Sequence, residues 1–233
     1  MAASPKPRPA TSADVTPQQI LQFMTSEHFA VQSAKSAIVA ETTGRATVFL
    51  SSVSSAVVAL AFVGQSSTAG DFFLLFGLAL FVPLFFLGLA TYVRIHEASI
   101  ENMMHARRIN RIRHYYVELA PEMAPYFARR THDDMIDYLD ELAIFVPKHP
   151  GRFWGRWEQM ITIAGAVAVV NAVIAGVVIG MLCRNVLGLA VGWLIAIGAL
   201  VGIVVVALHS RYGDRRSRAA EQHFETMFPN KKR

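Results

Sequence analysis

The chain has 233 residues, of which 53% are hydrophobic and 17% charged, and its net charge is +5. Soluble domains carry about 25% charged residues, so the deficit indicates that lipid solvates part of this chain. The single cysteine, Cys183, excludes an intramolecular disulfide and the paired-cysteine class of zinc site.

Residues 1–15 are rich in Pro, Ala and Ser, which predicts a disordered tail. A helix is predicted to begin directly after it. Thr16 is a suitable N-cap, Pro17 fits the first helical turn, and Gln19 completes a capping box. Apolar residues then recur at helical spacing, which predicts an amphipathic helix over residues 16–45 that packs on the central loop.

Four uncharged apolar segments are each long enough to cross a bilayer as a helix. A hydrocarbon core of about 30 Å needs roughly 20 apolar residues. The segments cover residues 46–64, 72–93, 160–182 and 186–208, and none contains Asp, Glu, Lys, Arg or His. Uncharged runs of this length favour four transmembrane helices over a soluble core.

The distribution of basic residues predicts the orientation of these spans. Of the 22 Lys and Arg residues, only Arg184 lies in the short connections within each pair of spans. The positive-inside rule therefore places both termini and the central loop in the cytoplasm. The first three predicted units are a tail (1–15), a cytoplasmic helix (16–45) and a first transmembrane hairpin (46–93). They are followed by a cytoplasmic helical loop (94–158), a second hairpin (159–208) and a basic cytoplasmic tail (209–233).

The central loop is predicted to begin as a continuation of span two, because no Pro or Gly occurs over residues 94–119. An apolar stripe is predicted on one side, and cations on the other. The stripe comprises Ile95, Met103, Ile109, Ile112 and Tyr116, and the cations are Arg107, Arg108, Arg111 and Arg113. An acidic helix is predicted after Thr131, and its pairing with the basic helix and separate solvation of the two remain equal alternatives.

Aromatic and basic residues alternate just before the third span. Trp next to Arg at the end of a span is typical of an anchor at the membrane interface. A base-stacking platform needs the same residue types, but adjacency to a membrane favours anchoring, and no nucleic-acid partner is predicted. The predicted anchors are Arg152, Trp154, Arg156 and Trp157.

Polar residues inside the spans are candidates for a path or for helix packing. Ser51, Ser54 and Ser55 fall near one face of span one, and Asn171 lies near the middle of span three. Hydroxyls can line a pore, but they also bond their own backbone or bridge helices. Pro83 interrupts span two, which predicts a kink and a candidate hinge.

Three GxxxG motifs lie in the second hairpin and predict close helix packing, within the hairpin or between protomers. Their glycines are Gly176, Gly180, Gly188, Gly192, Gly198 and Gly202. Catalytic signatures such as GxSxG, a Walker A loop or a paired-histidine helix do not occur in the sequence. We therefore predict no enzyme activity, no cofactor and no metal.

The layout of residues 18–119 resembles that of SLATT-type membrane domains. Both have an amphipathic helix, a tight transmembrane hairpin and a long helix that leaves the membrane. SLATT-type domains are two-span modules proposed to act as pore-forming effectors in bacterial conflict systems, so the resemblance implies a pore. The second hairpin has no counterpart in that layout.

The sequence as a whole predicts an all-α integral membrane four-helix bundle, made of two hairpins with a helical cytoplasmic layer, in the cell membrane. The leading functional hypothesis is a homo-oligomeric channel or pore-like protein gated through its cytoplasmic helices. The alternative is a membrane-anchored scaffold or regulatory subunit that binds a cytoplasmic protein. Anionic lipid headgroups at the cytoplasmic face are a further expected partner.

Overall fold

A computed structural model describes residues 15–65, 70–127, 130–135 and 162–230. Within these ranges the chain forms four long α-helices and one short 3₁₀ helix, Pro121–Tyr126, and no strand. This confirms the all-α fold class. The four α-helices are α1 (Pro17–Gly64), α2 (Gly70–Leu119), α3 (Ile163–Leu187) and α4 (Val191–His223).

The predicted start of α1 is confirmed in detail. The Thr16 hydroxyl accepts a hydrogen bond from the Gln19 backbone, and the Gln19 side chain accepts one from the Thr16 backbone, so the capping box is complete. The helix then runs for 48 residues without a break. At 1.5 Å per residue it is roughly 70 Å long, more than twice the thickness of a bilayer core. One helix therefore joins the predicted amphipathic segment to span one.

All four α-helices contain a segment that is long and apolar enough to cross a membrane. The chain is therefore a multi-pass membrane protein. Helices α1, α2 and α4 also continue well beyond their apolar segments, with α2 reaching Leu119 and α4 reaching His223. The continuation of α2 is the one predicted from the absence of Pro and Gly.

Successive helices pack on one another in chain order, α1 on α2, α2 on α3 and α3 on α4, with smaller contacts between α1 and α3 and between α2 and α4. Each pair is antiparallel. Glu41 near the middle of α1 meets Arg94 of α2, and Gly176 of α3 meets Gly198 of α4. Helices α1 and α4 therefore lie on the outside, and none of the most apolar 18 residues of α4 is buried, against 39% in α3.

The centre of the bundle lies where α1, α2 and α3 meet. Phe49 and Asn171 are both fully buried there, on either side of Gly88. A Cβ atom at position 88 would lie 2.3 Å from the Asn171 Oδ1 and 2.8 Å from the Phe49 ring. Glycine is therefore required at this crossing, because any side chain would push α1 and α3 away from α2.

The charged extensions of α1, α2 and α4 lie on one side of the bundle and contact one another. The Arg94 guanidinium binds both oxygens of Glu41, and this contact lowers the pKa of Glu41 to about 2. Arg216 of α4 binds both oxygens of Glu97 in α2 at 2.6 and 2.7 Å. We call these extensions, with residues 120–127, 130–135 and 224–230, the polar layer.

Candidate functional site

The most extensively built side-chain cluster is in the polar layer, around Arg107 of α2. This side chain is fully buried. Its Nε donates to the backbone carbonyl of Asp133 at 2.6 Å, and its two terminal nitrogens donate to Glu221 and Thr226 at 2.5 and 3.0 Å. The guanidinium also lies 3.6 Å from the centre of the Phe224 ring. Four separate groups therefore satisfy one buried cation, as a buried charge requires.

Asp133 is the anionic centre of the same cluster and is also fully buried. Its carboxylate accepts from Arg111 Nε at 2.7 Å and from the backbone N–H groups of Met227 and Phe228 at 3.0 and 2.9 Å. Arg111 makes a second contact to the carbonyl of Glu225. The carboxylate therefore joins α2 to the end of the chain.

The electrostatic balance at Asp133 favours the charged form. Burial alone would raise its pKa, but the backbone N–H groups of Met227 and Phe228 and the Arg111 guanidinium act against burial and lower the pKa overall. Charge-assisted bonds of this kind are about twice as strong as neutral ones. The carboxylate is therefore ionised at neutral pH and holds its donors in place.

Neighbouring residues extend the cluster along the same face of α2. The fully buried Asn110 donates from its amide to the His132 carbonyl at 3.1 Å. The His114 ring stacks on Phe228 with 4.2 Å between centroids. The residues that hold segments 130–133 and 224–230 against α2 form what we call the tail clamp, namely Arg107, Asn110, Arg111, His114 and Asp133.

The tail clamp corrects one sequence prediction. Arg107 was placed among the cations opposite the apolar stripe, but it is fully buried and segment 224–230 covers it, whereas its neighbour Arg108 is exposed. The predicted apolar stripe is confirmed over most of its length. Ile95, Met103, Ile109 and Ile112 are buried, and Tyr116 is half-buried. Of the two alternatives for the basic and acidic segments, pairing occurs at Arg111 and Asp133. The predicted acidic helix beyond residue 135 lies outside the described residues.

A second polar cluster connects α2 to α4 at the inner edge of the polar layer. The Tyr92 hydroxyl donates to the His209 carbonyl at 2.7 Å, and the two rings meet edge to face at 4.4 Å. His96 Nε2 lies 3.0 Å from the Gly213 carbonyl. Burial is the main cause of a lowered pKa at His96, with the nearby Arg216 adding to it. This cluster fixes the position of α4 relative to α2 along the helix axes.

The serines of span one face outward from the bundle. Ser51, Ser54 and Ser55 are all exposed. An open groove of about 670 Å³ between α1 and α2 is lined by hydroxyls of what we call the serine face, Thr47, Ser51, Ser52 and Ser55. Part of the face bonds its own helix, because Ser52 donates to the Val48 carbonyl at 2.8 Å and Thr47 to the Thr43 carbonyl at 2.9 Å.

Asn171 does not join the serines. It lies inside the bundle against Gly88, and neither its Oδ1 nor its Nδ2 has a hydrogen-bond partner in the described part of the chain. The serine face and Asn171 therefore cannot line one path within a single chain. Pro83, the predicted hinge, is exposed on α2, a little more than one turn before Gly88.

The predicted small-residue motifs separate into two kinds. Gly176 and Gly198 lie back to back, since a Cβ at position 176 would be 2.6 Å from the Gly198 carbonyl oxygen. Gly180 and Gly202 approach Leu194 and Ala172 less closely. These four glycines pack α3 against α4 within one chain. Gly188 and Gly192 have no atom within 4 Å of a Cβ position, and Gly188 instead ends α3 with φ of +57°.

The predicted interfacial anchors Arg152, Trp154, Arg156 and Trp157 lie outside the described residues. Sequence reasoning missed the tail clamp, although one signal was available. Its α2 members stand at positions 107, 110, 111 and 114, which share one helix face. No family model, curated protein or solved structure matches the chain.

Proposed function

We propose that the protein is a homo-oligomeric channel or pore-like protein of the cell membrane, with a path that runs between protomers along the serine face. The observation that carries this proposal is the outward groove lined by Thr47, Ser51, Ser52 and Ser55. It lies within an apolar segment that would otherwise meet lipid.

Hydroxyl groups are poorly solvated by lipid tails. The bonds that Ser52 and Thr47 donate to their own helix use the hydroxyl hydrogens and leave oxygen lone pairs unused. In a bilayer, polar groups of this kind are usually placed against another helix or against water. A neighbouring protomer or a water-filled path would satisfy the serine face better than lipid does.

The interior of a single protomer supports a path between protomers rather than through one. Phe49 and Asn171 are fully buried and close on Gly88 at the centre of the bundle. A bundle filled at its centre has no room there for an aqueous column. The SLATT-like layout of residues 18–119 points to the same function, and the positive-inside rule supports a cytoplasmic polar layer that could gate the path.

Flux from reconstituted liposomes tests this proposal. Ser51→Leu and Ser55→Leu should lower the ion flux because each replaces a hydroxyl of the path with a bulky apolar group. The matched control is Val57→Leu, since Val57 is 52% exposed and lies two residues from Ser55, on another side of the helix. A protein that is monomeric in mild detergent and passes no ions would contradict the proposal.

A second function, that of a membrane-anchored scaffold, is favoured by a different observation. Apolar side chains are exposed at the far end of the polar layer, outside the predicted spans, and some of them, including Leu21, Phe29 and Met123, line an apolar pocket of about 420 Å³. The most exposed are Phe23, Phe29 and Tyr126, at 63%, 68% and 78%. Exposed apolar patches commonly mark protein interaction sites.

This second function predicts a protein partner that is retained on purified membranes and lost in Phe29→Ser. Gln22→Ser is a control, because it changes an exposed polar residue of the same helix. The scaffold function would be excluded if chemical cross-linking in membranes captured only copies of this chain.

A further inference from the structure

A cavity of about 410 Å³ lies where α2, α3 and α4 meet. Along the helix axes, this cavity lies at the predicted boundary between the apolar spans and the polar layer. On α2 the last span residue, Val93, is followed by Arg94, and on α4 Leu208 is followed by His209. We call this the head cavity, and the polar residues that line it include His96, Ser99, Thr162, His209, Ser210 and Ser217.

An apolar trough of about 760 Å³ continues from the head cavity along the outer side of α3 and α4. The two spaces share Val169, Val206 and Ser210 as lining residues. The trough exists because glycines bring the two helices together, and apart from Ser210 its lining is otherwise Val, Ala, Leu and Ile. The polar head cavity at the membrane boundary thus opens into the apolar trough within the span.

His209 gives an independent sign of a missing partner in the head cavity. The residue is only 5% exposed. Its Nδ1 lies 2.8 Å from the Val205 carbonyl, which can only accept, so Nδ1 carries the hydrogen and Nε2 is an acceptor. No described residue donates to Nε2. Buried acceptors are nearly always paired, so His209 Nε2 calls for a donor that the described residues do not supply.

The start of α3 supplies the complementary group. Thr162, Ile163, Ala164 and Gly165 line the head cavity, and they form the N-cap and first turn of a 25-residue helix. The N-terminus of a helix carries a partial positive charge and favours a phosphate group. The head cavity therefore offers a place for a phosphate beside an acceptor for a hydrogen-bond donor.

We infer that the trough and the head cavity together bind one phospholipid of the membrane leaflet on the side of the polar layer. The phosphate lies at the start of α3, a headgroup hydroxyl or ammonium donates to His209 Nε2, and an acyl chain lies in the trough. A glycerol or ethanolamine headgroup has such a donor, whereas choline has none. Lipid tails are as apolar as leucine, so the preference comes from the headgroup.

Lipid retention tests this inference. The full-length protein is delipidated in detergent and incubated with phosphatidylglycerol, phosphatidylethanolamine or phosphatidylcholine with the same acyl chains. Retained lipid per chain is then measured by mass spectrometry. We expect the choline lipid to be retained about fivefold less, which is the effect of one hydrogen bond. His209→Phe should abolish this difference.

A matched pair of variants tests the trough separately from His209. Ala199 lines the trough and Ala196, one turn earlier on α4, does not. Ala199→Phe should lower the retention of every lipid, whereas Ala196→Phe should not. If His209→Phe fails to fold, this pair of variants still tests whether a lipid binds in the trough.

Three results would overturn the inference. The first is equal retention of the three lipids by the unaltered protein. The second is equal retention by Ala199→Phe and Ala196→Phe. The third is protection of the delipidated protein against heat by inorganic phosphate alone, undiminished in Ala199→Phe, which would assign the head cavity to a soluble anion.

Discussion

Arg111 and Asp133 form an ion pair in which the carboxylate is fully buried and 2.7 Å separates Nε from Oδ2. The same carboxylate accepts hydrogen bonds from Met227 and Phe228, which are 94 and 95 residues away in sequence. Breaking a buried pair leaves an uncompensated charge, which is strongly destabilising. The attachment of the chain end to α2 therefore depends on a few side chains.

We expect Arg107→Ala to release the tail clamp, because it removes the cation that binds Glu221, Thr226 and the Asp133 carbonyl. The free energy of unfolding should fall by about 3 kcal/mol, the lower end for a broken buried pair, because Glu221 is partly exposed. The control is its neighbour Arg108→Ala, since Arg108 is exposed. Denaturant unfolding in detergent measures both, and equal effects would contradict a buried role for Arg107.

We expect Asp133→Asn to free segment 224–230, because the neutral amide no longer balances Arg111. Limited chymotrypsin digestion should then cut after Phe224 in the variant faster than in the unaltered protein. Glu122→Gln, which changes an exposed carboxylate of the same layer, should leave the digestion rate unchanged. Unchanged cleavage in Asp133→Asn would show that other contacts hold the segment.

The tail clamp should also be released by acid. The folded pKa of Asp133 is lowered from the ordinary value of 3.8. A carboxyl with a lowered folded pKa contributes stability above its unfolded pKa and loses it as the pH falls through the folded value. Chymotrypsin is inactive at that pH, so pepsin digestion at decreasing pH is the suitable measurement. Release of the segment should begin below about pH 4, and release near pH 6 would point to a histidine instead.

Gly176→Ala should separate α3 from α4. Its Cβ would lie 2.6 Å from a backbone oxygen, that of Gly198, which cannot move without moving its helix. Overpacking of this kind lowers the free energy of unfolding by about 1–3 kcal/mol. Gly192→Ala is the matched control, because a Cβ there has no atom within 4 Å, and alanine favours helix over glycine. The thermal midpoint should fall for the first variant and stay or rise for the second.

The α2–α4 contact should weaken in mild acid. Burial and the nearby Arg216 lower the folded pKa of His96 below the ordinary 6.5, so the unfolded chain takes up the proton first. The contribution of His96 is therefore complete above about pH 6.5 and declines as the pH falls below it. When the pH is lowered from 7.5 to 5.5, we expect the thermal midpoint of unfolding to fall less in His96→Gln than in the unaltered protein. Parallel losses would assign the pH dependence to other groups.

The features that could be predicted from the sequence are those determined by local patterns. Span length and the absence of charge predicted the four apolar helices, because lipid-exposed backbone must bond within its own segment. The capping box at Thr16 depends on a spacing of three residues, and the structure has it. The stripe that includes Ile95 and Ile109 follows from helical spacing in the same way.

The features that could not be predicted depend on distant segments. Arg107 is one of four arginines within residues 107–113, and their spacing does not tell which of them is covered, because its partners Glu221 and Thr226 are 114 and 119 residues away. The outward direction of Ser51 likewise depends on which side of α1 receives α2. Gly188 belongs to a GxxxG motif like those of the packing glycines, but its left-handed backbone ends a helix instead.

The accessibility of position 55 to a charged, membrane-impermeant thiol reagent tests the central claim most directly. Cysteine is placed at Ser55, or at Val57 as the control, in a chain whose only natural cysteine, Cys183, is changed to alanine. If a water-filled path runs along the serine face, the reagent modifies Cys at position 55 in intact membranes and leaves position 57 untouched. Equal protection of both positions would place the serine face against lipid or protein and contradict the proposed path.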